Sequence, residues 1–288
     1  MSPKGEKKMP RETRQKNIIW KAAAYIIMVL FTILTVGPLV WLMYSSLKPH
    51  AEIVRSIFTP PARIYFQNYT MAWRLASLGV LMMNSIFYSI VATAVTTLLA
   101  LAAGYGFAKF RYRISGFFYF FFIMGLLITV HSVLVPLFVM ETKLHIDDTR
   151  IGVILPYVAF GLPFLVYLAT SYIKGIPDSL QEAAVIDGAS YLRIFKDIIV
   201  PVATPIAATM LIFSFLSNWN ELVFVLTLTS KESLRSLPVG VLAFAGGKTR
   251  NYGLQFATLV IATVPMILFY ISFHDQLARG FSAGALKE

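Results

Sequence analysis

The sequence contains no cysteine, which removes disulfides, thiolate metal sites and cysteine catalysis together. Charge is scarce as well. Asp, Glu, Lys and Arg make up 14% of the 288 residues, against roughly a quarter in soluble domains, while 57% are hydrophobic. There is no internal repeat, no low-complexity segment, no long basic face and no interleaving of basic with aromatic residues. The formal net charge of +11 therefore does not point to nucleic acid. Nucleotide chemistry is missing too: Gly246-Gly247-Lys248-Thr249 resembles the end of a phosphate loop, but the glycine required five residues before Gly247 is Leu242. No nucleophile–base pair and no metal-ligand cluster is apparent, so no catalysis is expected of this chain.

What is present is apolar length. A bilayer is crossed by about 20 residues of helix, and six runs qualify, at about 22–42, 80–104, 116–140, 152–173, 202–229 and 255–275. Their only charged side chains are Glu221 and Asp275. Strands of a membrane barrel would alternate apolar and polar over about ten residues, and these runs do not. The expectation is an all-α polytopic membrane protein with six transmembrane helices. Residues 1–21 form a basic leader and 22–288 the transmembrane domain. No small-residue cleavage site follows the leader, so the first run reads as a retained span rather than a signal peptide.

Seven Lys and Arg precede the first span. Positive residues favour the cytoplasmic side and the first span usually sets orientation, which places both termini inside and the 174–201 loop in the cytoplasm. Segments 43–79 and 230–254 then read as external loops, punctuated by Pro60-Pro61 and Gly246-Gly247. In the second span Ser85, Ser89, Ala92, Thr96, Ala100 and Gly104 recur at helical spacing, a stripe suited to close helix packing.

The segment from Ile176 to Pro205, IPDSLQEAAVIDGASYLRIFKDIIVPVATP, reads as two short helices at the membrane surface. Pro177 and Asp178 suit a first turn, and Ser179 with Glu182 three residues on fits a capping box. Leu180, Ala183, Ala184 and Asp187 share a face, and Gly188 offers a stop. The second helix, Tyr191 to Ile199, carries Leu192, Phe195, Ile198 and Ile199 on one apolar face. Spacing alone is equally compatible with an interfacial hairpin that has no partner.

A second polar cluster, Asn218-Trp219-Asn220-Glu221, lies inside the fifth run. A charge there is costly and must face the bundle, a water-filled path or a partner. Trp219 could stack on a sugar while the asparagines bond its hydroxyls, or the group could bond neighbouring helices. His131 reads as a packed, hydrogen-bonded histidine, and His145 with Asp147 and Asp148 as a solvated turn.

EAAVIDGAS, Glu182 to Ser190, followed by IIVP, Ile198 to Pro201, resembles the EAA signature of ABC importer permeases. NWNELVFVLTL, SLPVGV and the tail ARGFSAGALKE, with FQNYTMAW and NSIFYSI nearer the start, are similar to the maltose-type, carbohydrate-uptake branch. That resemblance implies a bacterial inner-membrane permease paired with a second homologous permease as a heterodimer. It also implies two ATPase subunits that hold ATP and Mg, and an extracytoplasmic solute-binding protein. Glu182, Ala183, Ala184, Asp187 and Gly188 match the motif whose helix docks on the ATPase, and Asn218, Trp219, Asn220 and Glu221 are substrate-path candidates. The tail 280–286 is a second coupling candidate. The rival from another class is an ion-coupled secondary transporter using Glu221, His131 and Asp275, and within the family a glycerol phosphate remains an alternative cargo.

Overall fold

The structure, a computed structural model, describes residues 11–110, 112–246 and 251–285, and within 11–19 and 274–285 only the backbone. The first ten leader residues, Gly247 to Thr249, Leu286 and the side chain of Asp275 lie outside that description. The described chain is helical throughout and contains no strand. In order the helices are α1 Arg11–Ser45, α2 His50–Arg55, α3 Gln67–Leu75, α4 Leu78–Lys109, α5 Ser115–Met124, α6 Val130–Leu144 and α7 Arg150–Lys174. They continue as α8 Asp178–Ile186, α9 Tyr191–Ile194, α10 Val200–Val202, α11 Thr204–Trp219, α12 Val223–Leu228, α13 Leu237–Leu242 and α14 Tyr252–Ala285.

Four stretches are long and apolar enough to cross a bilayer as single helices: 20–45, 78–109, 150–174 and 252–273. The remaining two spans are not straight. Ser115–Leu127 and Val130–Leu144 meet at 103°, so the run read as one helix at 116–140 is two helices joined by a 3-10 turn. Tyr191–Val202 meets Thr204–Trp219 at 79°, which sets the second short helix of the 174–201 loop across the span it precedes. The fifth run ends its main helix at Trp219 and resumes at Val223, not continuing unbroken to 229. With each bent pair taken as one span, the described residues hold six. It is a multi-pass membrane protein.

The small-residue stripe does what its spacing predicts. Ser85, Ser89, Ala92, Thr96 and Ala100 are all buried on α4, which packs against α7, α11 and α13. At Gly104 the backbones come so close that an added Cβ would lie 2.6 Å from Ala169 Cβ and 3.0 Å from its carbonyl carbon. In lipid, where apolar surface gains little from association, such close backbone approach is the main source of helix packing. By contrast, the side chains of α1 from Trp20 to Leu39 lie open on this chain, an apolar face for lipid or another subunit.

The helices alternate in direction, so the connections collect at two faces. The loop face gathers 43–77, 145–149 and 229–246, and the loops read as external fold into α2, α3 and α13. Asn84 Nδ2 donates to the carbonyls of Ser233 and Arg235 at 2.7 and 3.0 Å, and the Tyr88 hydroxyl donates to Leu234 O at 2.9 Å. Leu237 N donates to Ser85 Oγ at 2.7 Å. Thus three buried side chains from the first turns of α4 pin a stretch of irregular backbone that runs from exposed Ser233 to buried Leu237. Asn68 bonds the carbonyls of Ser46 and Lys48, and fully buried Lys48 donates to Ser56 O at 3.1 Å. The opposite, hairpin face carries residues 174–203, the end of α4, and the directions in which α1 starts and α14 ends.

Candidate functional site

On the hairpin face, α8 begins at Asp178 with Pro177 as N-cap and no side-chain cap bond. The expected capping box is therefore absent: Ser179 falls at the second helical position, where its hydroxyl cannot serve the first-turn N–H groups as an N-cap does. The helix ends as Gly188 predicts. Gly188 has φ +78°, its N–H bonds Val185 O at 3.0 Å, and Ala189 N bonds Ala184 O at 2.9 Å. These are the paired bonds of a Schellman stop, which needs a left-handed residue at this position. Ala184 is buried against the cluster of Ile176, Ile194 and Ile199, whereas Glu182, Ala183, Asp187 and Gly188 are exposed. So are Leu180, Val185, Ile186 and Leu192, with Ile186 at 85%. Glu182, Gln181, Val185, Ile186, Tyr191, Lys109 and Asp178 line a groove of about 600 Å³. A short, well-stopped helix thus presents an apolar edge and a carboxylate away from the chain that carries it.

Between Ser190 and Thr204 the backbone passes through a π-helical turn, Phe195–Ile199, before the 79° bend. Ser190 Oγ accepts from Arg193 N at 3.4 Å, and Arg193 pairs with Asp197 one turn on. Both are exposed, so that pair contributes little.

The second feature is a cavity of about 310 Å³ beside the midpoint of α7. Its walls combine aromatic rings, among them Tyr157, Phe160, Phe164 and Phe213, with Ser214, Ser217, Asn218 and Glu221. The break between α5 and α6 and the one between α11 and α12 open on it, through Val130 and Glu221. Irregular backbone at membrane depth is tolerated where protein or a water-filled cavity covers it, and Glu221 supplies part of the cover by accepting from Phe224 N at 2.8 Å and Val225 N at 3.4 Å.

Of the four polar residues read as a group, the structure brings two to the cavity. Asn218 also bonds across to Thr93 Oγ1 of α4 at 3.2 Å. Trp219 is 4% exposed and stacked on Phe215, with ring centroids 5.8 Å apart, so no sugar face reaches it. Asn220 points elsewhere, donating to Leu216 O at 2.8 Å. Consecutive helical residues point about 100° apart around the axis, which undoes the cluster seen in sequence. His131 is exposed on this chain at the start of α6, not packed. Asp148 does more than solvate a turn: it accepts from Ser230 N at 2.6 Å and Lys231 N at 3.0 Å. Those N–H groups, Lys231 first, hold its carboxyl below the usual range.

Residues 96–282 match the family described as "Binding-protein-dependent transport system inner membrane component". The chain belongs to that family. It is 31% identical over 282 residues to the diacetylchitobiose uptake system permease protein NgcG of Streptomyces coelicolor, spanning 97% of this chain and 93% of that protein. Over 277 residues it is 31% identical to the multiple sugar-binding transport system permease protein MsmG of Streptococcus mutans, with 94% and 98% covered. Among solved structures, a chain of a bacterial ABC transporter involved in the import of the acidic polysaccharide alginate shares the fold. Its TM-score is 0.77 at 24% identity, covering 94% of this chain and 99% of that one.

The resemblance carried by Glu182–Ser190 and Ile198–Pro201 thus holds at the level of the family, and this permease chain is matched from the middle of α4 through α14. The residues that sequence reasoning missed are those whose role depends on which way a helix faces. Lys109 is one of three basic residues in KFRYR, and nothing in that run marks it as the one that turns inward. Phe160, Phe164 and Phe213 look like ordinary apolar span residues until the breaks bring them round one cavity.

Proposed function

We propose that this chain is one of two related permease subunits of a binding-protein-dependent ABC importer for a sugar or oligosaccharide. It forms half of the translocation pathway, and ATP is hydrolysed, with Mg, on two separate ATPase subunits. The hairpin face lies in the cytoplasm with both termini, and the loop face meets an extracytoplasmic solute-binding protein. The observation that carries this reading is α8, which is stopped by Gly188 and keyed at Ala184 but otherwise turned outward with Leu180, Val185, Ile186 and Glu182 uncovered. An exposed apolar edge of that kind on a short helix fits a groove on a partner. ATPase closure moves the docked helix, and the spans convert that motion into alternating access.

The carbohydrate assignment rests on the named relatives and on the make-up of the cavity. Aromatic rings offer faces to the C–H side of a pyranose, while Ser214, Ser217, Asn218 and Glu221 offer hydrogen-bond partners to hydroxyls. Replacing residues 178–190 by a Gly-Ser linker of equal length in the reconstituted complex should abolish substrate-stimulated ATP hydrolysis and uptake. Full activity after that replacement would end the proposal. For the cavity, Asn218→Ala and Glu221→Gln should change the rate or concentration dependence of uptake, and unchanged values would remove both from the path.

A further inference from the structure

We propose that Lys109 is a positioning residue that fastens the coupling helix α8 to the transmembrane helix α4, so that the two move as one body. This rests on the reading of α8 as the ATPase-docking element and goes beyond it by naming what transmits its motion.

Lys109 is the last residue of α4, and its side chain is 3% exposed. Its ammonium donates to Asp178 Oδ1 at 2.6 Å and to the Ile176 carbonyl at 2.5 Å. Both acceptors belong to the short link from α7 into α8: Ile176 is buried in the apolar cluster with Tyr105 and Ala184, Pro177 caps, and Asp178 opens the helix. The cation lies at the carboxyl end of α4 and the carboxylate at the amino end of α8, so each charge also meets the favourable pole of its own helix. Hydrogen bonds from an ammonium to a carboxylate are stronger than neutral ones.

The pair is lopsided, since the Asp178 side chain is 53% exposed while the lysine is covered. An exposed carboxylate that loses this one bond is re-solvated at little cost. A covered ammonium is not, and its second bond to Ile176 O keeps it seated even as Asp178 moves. Lys109 is therefore the fixed point and Asp178 the element it holds. From there α4 runs along α7 and α11, and its Thr93 accepts from Asn218 at the cavity. A single rigid helix thus joins the groove beneath α8 to a polar residue of the proposed substrate path.

A role of this kind appears in the ratio of solute taken up to ATP hydrolysed, which a purely structural contact would not change. In the complete reconstituted complex, Lys109→Met keeps the length and apolar stem but removes both bonds, and Asp178→Asn weakens one. Each should lower uptake per ATP by about five-fold or more, the scale of an ordinary coupling energy. The double variant should be no worse than the worse single, because both act on one link. Lys109→Arg should retain the ratio within about two-fold, since its fork can still meet a carboxylate and a carbonyl. A charge swap is not a rescue, because it would place each charge at the unfavourable pole of its helix.

An unchanged ratio in both Lys109→Met and Asp178→Asn overturns the proposal, as does a double variant whose loss is the product of the singles. If Lys109→Met fails to accumulate, Asp178→Asn decides alone, because its lysine remains seated on Ile176. The unaltered complex separates the two levels of argument. If it shows no ATP-driven uptake, the functional reading fails; if it does, and the ratio is indifferent to residues 109 and 178, only the clamp fails.

Discussion

The two faces of this permease are held together in different ways. On the loop face, irregular backbone is bonded by side chains of several elements: buried Asn84, Ser85 and Tyr88 hold 233–237, buried Asn68 and Lys48 hold 46–57, and half-buried Asp148 holds 230–231. On the hairpin face, α8 keeps one buried alanine, a stop at Gly188 and the Lys109–Asp178 pair, while most of its side chains stay open. A buried network of many bonds resists local opening, and a helix with few buried contacts does not. The lesson is a division of labour: a bonded platform at one end, and at the other a handle that, on the proposed reading, a partner covers.

The largest effect expected from breaking this comparison is at the platform. Asn84→Leu removes the buried amide that donates to the Ser233 and Arg235 carbonyls, a loss of about 1–3 kcal/mol, and should lower the thermal midpoint of the purified complex by several degrees. In the fraction that folds, uptake per ATP should be unchanged. Next comes Gly104→Val, which forces α4 away from Ala169 at about 1–3 kcal/mol and should be visible as reduced accumulation in the membrane.

A change at the handle should look different. Gly188→Ala strains a left-handed stop by about 1 kcal/mol and should speed hydrogen exchange in 178–189 while leaving the global midpoint nearly fixed. A drop in midpoint as large as that of Asn84→Leu would erase the distinction between the faces.

The smallest effect is electrostatic. Asp148 has a lowered pKa in the folded chain, so its contribution is present above the unfolded carboxylate value of about 4 and is lost as pH falls through the folded value. Exchange of the Ser230 and Lys231 amides should be flat from pH 7 to 5, after correction for intrinsic rates, and show lost protection below about 4. Asp148→Asn should remove that step.

Much of this was legible from sequence, for identifiable reasons. Apolar length is a direct reading of bilayer thickness, so the long helices were found, and the spacing of small residues from Ser85 to Gly104 is a direct reading of helical period. The breaks were not legible because GLLIT, Gly125 to Thr129, is as apolar as the helices on either side, and hydropathy carries no dihedral information. In the Asn218–Glu221 group, nearness along the chain was mistaken for nearness in space: consecutive helical residues diverge, leaving Trp219 in a core and Asn220 on the surface. The Schellman stop at Gly188 was readable because glycine past a helix end has a specific geometric use, whereas the Ser179 box depended on a boundary two residues beyond the actual start at Asp178.

The central claim is that α8 is covered by an ATPase subunit in the working assembly. The natural absence of cysteine makes it directly measurable, because Ile186→Cys introduces a single thiol at the most exposed apolar position of the helix. Labelled with a membrane-impermeant maleimide in inside-out vesicles, that thiol should react readily when the permeases are made without the ATPase subunits and be protected when the complex is complete. Equal labelling with and without the ATPase subunits would contradict the account.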